Sequence, residues 1–387
     1  MADPRIVRIE WGQLEGRRPR HAGCNARLGE HGIVVRPAIA RITADDGAIG
    51  WGASRITREQ AAKLVGSRLS DVFVAGKGAS RAGLPLEFPL WDLAGKRAGE
   101  PVYAMAAATV GATPATPFRV QCYDTSLYFD DLHLESEQEA AALIAAEARE
   151  GYARGHRAFK IKVGRGARHM ELAAGLRRDI AVVHAVREAV GEHATLMTDA
   201  NNGYNLNLAK QLLRATADAD VFWLEEAFYE DDVLYSDFQA WLRAEGLSTL
   251  IADGEGLASP RLPEMARQRL VNVVQYDIFS YGFTRWLELG AQLDRWGART
   301  APHHYGGHYG NYTSGHLAAA IGRFAFVEWD EASTPGLDGS AYFVSDGWVT
   351  VPHEPGFGVG LEEGPFREAV ATNGFTVSAG SPPAIPA

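Results

Sequence analysis

The stretch Phe159-Lys160-Ile161-Lys162-Val163-Gly164-Arg165-Gly166 reads as an apolar strand running into a glycine turn, yet it carries two lysines. In a strand, residues i and i+2 share one face, so Lys160 and Lys162 point the same way. On a wet face such a pair needs no explanation, and for an isolated Lys-x-Lys the solvated reading wins. On a buried face the two ammonium groups repel, and both repulsion and desolvation lower their pKa values. What the neighbouring strands carry decides between the two.

Around this stretch, short apolar runs alternate with longer helical patterns. Strands are expected to end near Tyr123, Lys162, Asp199, Glu225, Glu255, Asp277, His303 and Glu328. Helical patterns over 137–154, 169–190, 208–217, 234–245, 262–269, 283–296 and 312–321 fall between them. Eight strands with seven intervening helices predict an α/β fold, a (β/α)7β TIM-like barrel, assigned to residues 116–350. Residues 1–115 read as an α+β capping domain. Alternating strands are expected over 6–12 and 33–43, with helices over 57–72 and 89–96, ending at a Pro/Thr-rich boundary at 111–117. Residues 351–387, Pro-rich at their end, are expected to return to the cap.

The 387 residues carry 46% hydrophobic and 22% charged side chains, an ordinary globular composition. A formal charge of -10 argues against a nucleic-acid partner. No run of apolar residues is long enough to cross a membrane, and the amino terminus shows no secretory signal. Cys24 and Cys122 form neither a metal-binding spacing nor a disulfide framework. The expected location is the cytoplasm.

In a parallel barrel the carboxyl ends of all strands meet on one face. Asp199, Glu225 and Glu255, from three successive strands, would therefore face one another, and three close carboxylates repel unless a cation lies between them. Oxygen-only ligation without cysteine favours a hard divalent ion such as Mg2+. Beside such an ion and the second ammonium of Lys160, Lys162 would be neutral enough to act as a base. Asp277 would orient His303 as a second acid/base element. Glu328 would donate to a developing oxyanion if its pKa were raised.

Together the Lys-x-Lys, Asp-x-Asn, Glu-Glu, Gly-Glu, Asp and Pro-His elements occur in an order that resembles the enolase superfamily, specifically its mandelate racemase subgroup. The segment Phe88-Pro-Leu-Trp-Asp-Leu-Ala-Gly-Lys-Arg-Ala-Gly-Glu-Pro-Val-Tyr103 is similar to the end of that family's amino-terminal domain. The resemblance implies Lys162 as base with Lys160 as electrostatic helper, Asp199, Glu225 and Glu255 as metal ligands, and Asp277 with His303 as the dyad. Two departures stand out: Ala227 follows Glu226 where the family usually has proline, and His303 and His304 are adjacent. His303 is assigned to the dyad because it directly follows proline, which leaves His304 as a candidate substrate contact.

Asn201 is a candidate substrate contact, with helix capping as its alternative. Asp253 and Glu226 read as supporting carboxylates, and His308 and His316 as structural. Gly164-Arg-Gly166 hints at a dinucleotide loop, but His169 stands where the third glycine belongs. In this family, loops of the cap close over the barrel mouth. Arg17, Arg20, Asn25 and Arg27 are the candidates to read a polyhydroxylated or anionic far end of the substrate, or else they coat a solvated surface. Tyr123 and Asp124 are further candidate contacts. The expected activity is a Mg2+-dependent hydro-lyase acting on a sugar acid, an aldonate or aldarate, that yields a 2-keto-3-deoxy acid. A racemase, epimerase or lactone cycloisomerase is the alternative. The partner is then a small-molecule carboxylate, and the chain is expected to form a homo-oligomer, dimer to octamer.

Overall fold

A computed structural model describes residues 3–256 and 258–380. Its centre is a ring of eight parallel strands. In chain order they are Phe118–Leu127, Ala158–Lys162, Thr195–Asp199, Val221–Glu225, Leu250–Asp253, Val273–Val274, Arg299–Thr300 and Val327–Trp329. Each pairs with the next, from the first to the seventh. The eighth pairs with the first, setting Glu328 beside Tyr123. The last gap is closed where Thr300 meets Phe324, with the Ala325 amide donating to the Thr300 carbonyl at 2.8 Å. Helices Glu137–Ala153, Leu172–Val190, Leu206–Ala215, Asp232–Glu245, Leu262–Arg267, Phe283–Trp296 and Tyr309–Leu317 connect successive strands, so the barrel is (β/α)7β.

The helices form where one stripe is apolar. Leu172–Val190 buries Leu176, Val182, Val183, Val186 and Val190 at the three-and-four spacing that defines one helix face. Each such side chain contributes about 1.5–3 kcal/mol of burial free energy, and cutting Val183 or Val186 to alanine would open a cavity against the barrel wall. Leu206–Ala215 is begun by Asn205, whose side chain accepts from the Leu208 amide.

Strand alternation then sorts the barrel side chains. Phe159 and Ile161 pack outward on the helices, while Tyr123, Met197, Trp223, Val273, Ala301 and Phe326 line the interior layer. Each interior residue lies two positions before a polar one: Thr125, Asp199, Glu225, Gln275, His303 and Glu328. The period of two therefore gives the barrel an apolar floor with a polar layer directly above it.

The cap is a four-stranded antiparallel sheet in the order Phe375–Ser378, Ile6–Gln13, Ala38–Ala44, Ile49–Ala53. Ile6, Ile9, Ile42, Leu64, Leu90 and Leu93 form its core. The expected strand over 33–43 is broken at Arg36-Pro37 into Gly32–Val35 and Ala38–Ala44, because proline removes a ladder donor. The expected helix over 57–72 is two pieces, Arg58–Leu64 and Leu69–Val72, separated at Gly66, whose φ is 90°. The hairpin Gly16–Ala22 with Gly32–Val35 leaves the cap and docks on the barrel. There Arg17 exchanges backbone hydrogen bonds of 2.8 and 2.9 Å with Ser333. Trp348–Val351 lies antiparallel against the first barrel strand. The end of the Pro-rich tail, 381–387, lies outside the described residues.

Candidate active site

Lys160 and Lys162 share the interior face and are 1% and 3% exposed, which removes the solvated reading of the pair. Lys160 Nζ lies 2.9 Å from Glu225 Oε1 and 3.2 Å from Glu328 Oε1. Lys162 Nζ donates to Asp199 Oδ2 and sits 5.1 Å from the centre of the Tyr128 ring. Burial and Lys160 pull the Lys162 pKa down, while the charges of Asp199, Glu255 and Glu225 hold it above the ordinary lysine value. The expected depression depends on a cation shared by those carboxylates, which would offset their charge.

Asp199, Glu225 and Glu255 each present a carboxylate oxygen within 4.8 Å of the others. Asp199 and Glu225 end their strands. Glu255 lies two residues beyond Asp253, past Gly254 at φ 132°. A side chain at Gly254 would crowd Leu262 at 2.9 Å, so glycine is required for this approach. Burial lifts the Glu225 pKa to about 7, with Lys160 opposing and the other two carboxylates adding to the rise. Burial also raises Glu255, but His303, Lys162 and Lys160 bring it down to about 2. Trp223 Nε1 and Gln275 Nε2 donate to Glu225 Oε2 at 3.2 and 2.8 Å. Neither was anticipated, though both sit at interior-face positions of their segments.

Asn201, at φ 42°, donates from Nδ2 to Glu255 Oε1 at 2.9 Å and to Glu226 Oε2 at 3.2 Å. It does not cap the next helix, which is the work of Asn205, and its Oδ1 has no partner among the described residues. Asp253 turns away from the carboxylates to accept from the Tyr235 hydroxyl.

His303 Nδ1 lies 2.7 Å from Asp277 Oδ1, and its Nε2 lies 3.0 Å from Glu255 Oε2. Burial lowers the His303 pKa, but Glu255, Glu328 and Asp277 raise it to about 10. His304 points elsewhere: it packs on Gly310 and lines a cavity between cap and barrel, and neither ring nitrogen has a partner among the described residues.

Glu328 corrects the expectation of an oxyanion donor. Its Oε1 accepts from Thr125 Oγ1 at 2.7 Å and from Lys160, and its Oε2 accepts from the amides of His304 and Tyr305 at 2.6 and 3.0 Å. Burial alone would raise its pKa, but Lys160, His303 and these donors hold it well below the ordinary carboxylate value. It is an acceptor throughout.

Two further expectations fail on strand parity. The first barrel strand runs on to Leu127 rather than ending at Tyr123. Tyr123 thus lies in the apolar floor, with Lys160 Nζ 5.2 Å from its ring centre, and it is fully buried. Asp124 faces outward, toward Arg154 at 3.8 Å and away from the barrel axis. Thr125 is the residue of that strand at the site.

The cap expectations shift by one residue. Arg17 is exposed. Arg20 is used on the barrel flank, donating to Ser126 at 2.9 Å and pairing with Glu147 at 3.3 Å. Asn25 closes its own turn by accepting from the Arg27 and Leu28 amides at 2.9 and 2.7 Å. Arg27 is exposed, its guanidinium 5.5 Å from the Tyr229 ring. The inward arginine is Arg18, 8% exposed, 4.5 Å above the Tyr305 ring and 3.8 Å from Asp330, with Nε unpartnered among the described residues. Tyr305 stacks on Tyr128 at 4.8 Å, and His31 meets both rings edge-on at 5.7 and 4.7 Å. Burial, Lys162 and Arg18 lower the His31 pKa to about 4, so it is neutral at working pH. A continuous wall runs from Lys162 through Tyr128, Tyr305 and His31 to Arg18.

A family model described as enolase C-terminal domain-like matches residues 143–364. Among solved structures, the chain is similar to a galacturonate dehydratase from Geobacillus sp. complexed with D-galacturonate and 5-keto-4-deoxy-D-galacturonate. Identity is 47%, coverage is 97% of this chain and 99% of that one, and the TM-score is 0.93. A mutant of the Geobacillus enzyme complexed with Mg gives 47% identity, a TM-score of 0.94 and 98% coverage of both chains. The chain is also 27% identical to arabinonate dehydratase from Saccharolobus solfataricus, over 76% of this chain and 73% of that protein.

Proposed function

The chain belongs to the enolase superfamily, in its mandelate-racemase-like group, and from that premise we propose that it is a Mg2+-dependent dehydratase of a uronic acid. The observation that carries the reading is the placement of Lys162 against Asp199 at one end of a three-carboxylate cluster and of His303 against Glu255 at the other.

Asp199, Glu225 and Glu255 would hold the Mg2+. They fit it: three carboxylates, with oxygens within 4.8 Å of one another, form a hard all-oxygen donor set. When bound, the ion supplies positive charge against the negative charge that develops on the substrate carboxylate as its α-proton leaves. Lys162 Nζ takes that proton, and the C–H electrons move into the new carbon–carbon double bond of an enediolate. His303 Nε2 then gives its proton to the β-hydroxyl as the C–O bond breaks, releasing water. The enol product tautomerises to the ketone. Asp277, bound to Nδ1, keeps the imidazole oriented so that Nε2 faces the substrate. Lys160 holds Glu225 and Glu328 in place. Arg18, Tyr305 and His31 face the far end of the substrate.

The same chemistry accounts for a uronate. Its carboxylate is carbon 6, so the α-proton leaves carbon 5 and the hydroxyl leaves carbon 4. The product is a 5-keto-4-deoxy acid, the kind of ligand named in the Geobacillus complex. Counted from the carboxylate, this is the 2-keto-3-deoxy pattern expected for an aldonate or aldarate. The enzyme acts in the cytoplasm as a homo-oligomer, dimer to octamer, whose size light scattering measures directly. Among the described residues no helix is long and apolar enough to cross a membrane.

The test is a panel of hexuronates, aldonates and aldarates incubated with Mg2+ and followed by mass spectrometry. Loss of one water from D-galacturonate is expected. Turnover without change of mass would make the enzyme an isomerase, and inertness of every uronate would overturn the substrate class.

A further inference from the structure

A cavity of about 910 Å³ lies between cap and barrel, beside the dyad but distinct from the carboxylate cluster. Asp277 is on its wall, whereas Lys160, Lys162, Asp199, Glu225, Glu255, His303 and Glu328 are not. Its rim and its depth differ chemically. At the rim stand Arg55, Gln60 and Arg81 of the cap, all exposed. Neither Arg55 nor Arg81 has an ion-pair partner among the described residues. In the depth lie His304 and Tyr309, 2% and 1% exposed, with both imidazole nitrogens and the phenol oxygen unpartnered among the described residues. Trp11 also lines the chamber.

Buried polar atoms without partners each cost about 1–3 kcal/mol, so this chamber is built for something that hydrogen-bonds in its depth. A guanidinium fork suits a carboxylate, an imidazole and a phenol suit hydroxyl groups, and an indole face suits the apolar side of a sugar. We infer that the chamber is a second binding site for a sugar acid, with the carboxylate at Arg55 and Arg81 and the hydroxyls at His304 and Tyr309. It takes a separate molecule of substrate or product rather than the far end of one long acid, because of the residues placed at the main site only Asp277 and Tyr305 reach its wall. A second anion held there lies next to the Asp277–His303 pair, so substrate at high concentration inhibits turnover. The choice of probe rests on the sugar-acid reading of the main site; the site itself rests on the cavity.

The experiment titrates D-galacturonate calorimetrically into the full chain in EDTA, where binding that depends on metal is abolished. One site is expected in the wild type, weakened about tenfold or more in Arg55→Ala/Arg81→Ala, as loss of charge-assisted contacts implies. It should also be weakened in His304→Phe, which keeps ring bulk without the nitrogens. With Mg2+, inhibition at high substrate should be lost in the same variants. No binding in EDTA, or binding unchanged in both variants, overturns the inference. Retained EDTA binding without any turnover in Mg2+ supports the second site and counts only against the dehydratase reading. Turnover without EDTA binding does the reverse.

Discussion

Replacing Arg18 by methionine, with Arg17→Met as its control, separates two arginines that differ by one residue in sequence and by a face in the strand. Arg18 is 8% exposed and stacks on Tyr305 at 4.5 Å with its Nε unpartnered, whereas Arg17 is exposed and engages Ser333 only through its backbone. Hydrogen bonds involving a charged group contribute about 1.5–3 kcal/mol. At about 1.4 kcal/mol per decade of rate, losing one such contact to the far end of the substrate lowers kcat/KM roughly 10- to 150-fold. Most of the loss belongs in KM, because the far end is held alike in ground and transition states. Methionine keeps the apolar stem but forfeits the cation over Tyr305, about 0.5–2 kcal/mol. It also leaves Asp330, 2% exposed, without the guanidinium 3.8 Å away, so a lower Tm is expected as well. Steady-state kinetics on the best uronate, alongside circular dichroism, is the assay. Arg18→Lys tests geometry at constant charge. If Arg17→Met costs as much as Arg18→Met, or if folded Arg18→Met keeps wild-type KM, the parity argument is wrong.

Three other outcomes are expected. Chelation with EDTA should abolish turnover and Mg2+ restore it, since no other hard cation site joins Asp199, Glu225 and Glu255 among the described residues; full activity after rigorous chelation refutes the metal set. In D2O, His303→Asn should stop water loss yet still exchange the α-hydrogen through Lys162, while Lys162→Ala should lose both; the opposite pattern makes histidine the base. Glu147, beside Arg20 and Asp130, has its pKa raised by burial to about 8, above its unfolded value. Its contribution to stability is therefore complete below about pH 4.5 and lost as the pH rises through about 8, so Glu147→Gln should flatten the fall of Tm between pH 5 and pH 8, and an unchanged slope refutes this.

The sequence by itself determined the barrel and the groups that meet at its mouth. A strand period of two and strand ends that carry Lys162, Asp199, Glu225 and His303 leave little freedom, because parallel strands bring their carboxyl ends to one face whatever the loops do. Parity without a known strand end determined much less. The first strand continues four residues beyond Tyr123, to Leu127, and this moved Tyr123 into the floor, turned Asp124 to the flank and put Thr125 at the site. In the cap, one residue of phase exchanged Arg17 for Arg18. Charge states were decided only by the assembled structure. Glu328 was read as a donor from its position, but two amides, a hydroxyl and Lys160 from three other strand ends or their loops converge on it, and each favours the ionised form. His31, Tyr128 and Tyr305 carried no sequence signal at all. Their rings meet only because the cap hairpin docks over the loops after the first and seventh strands, and such long-range packing has no period to be read.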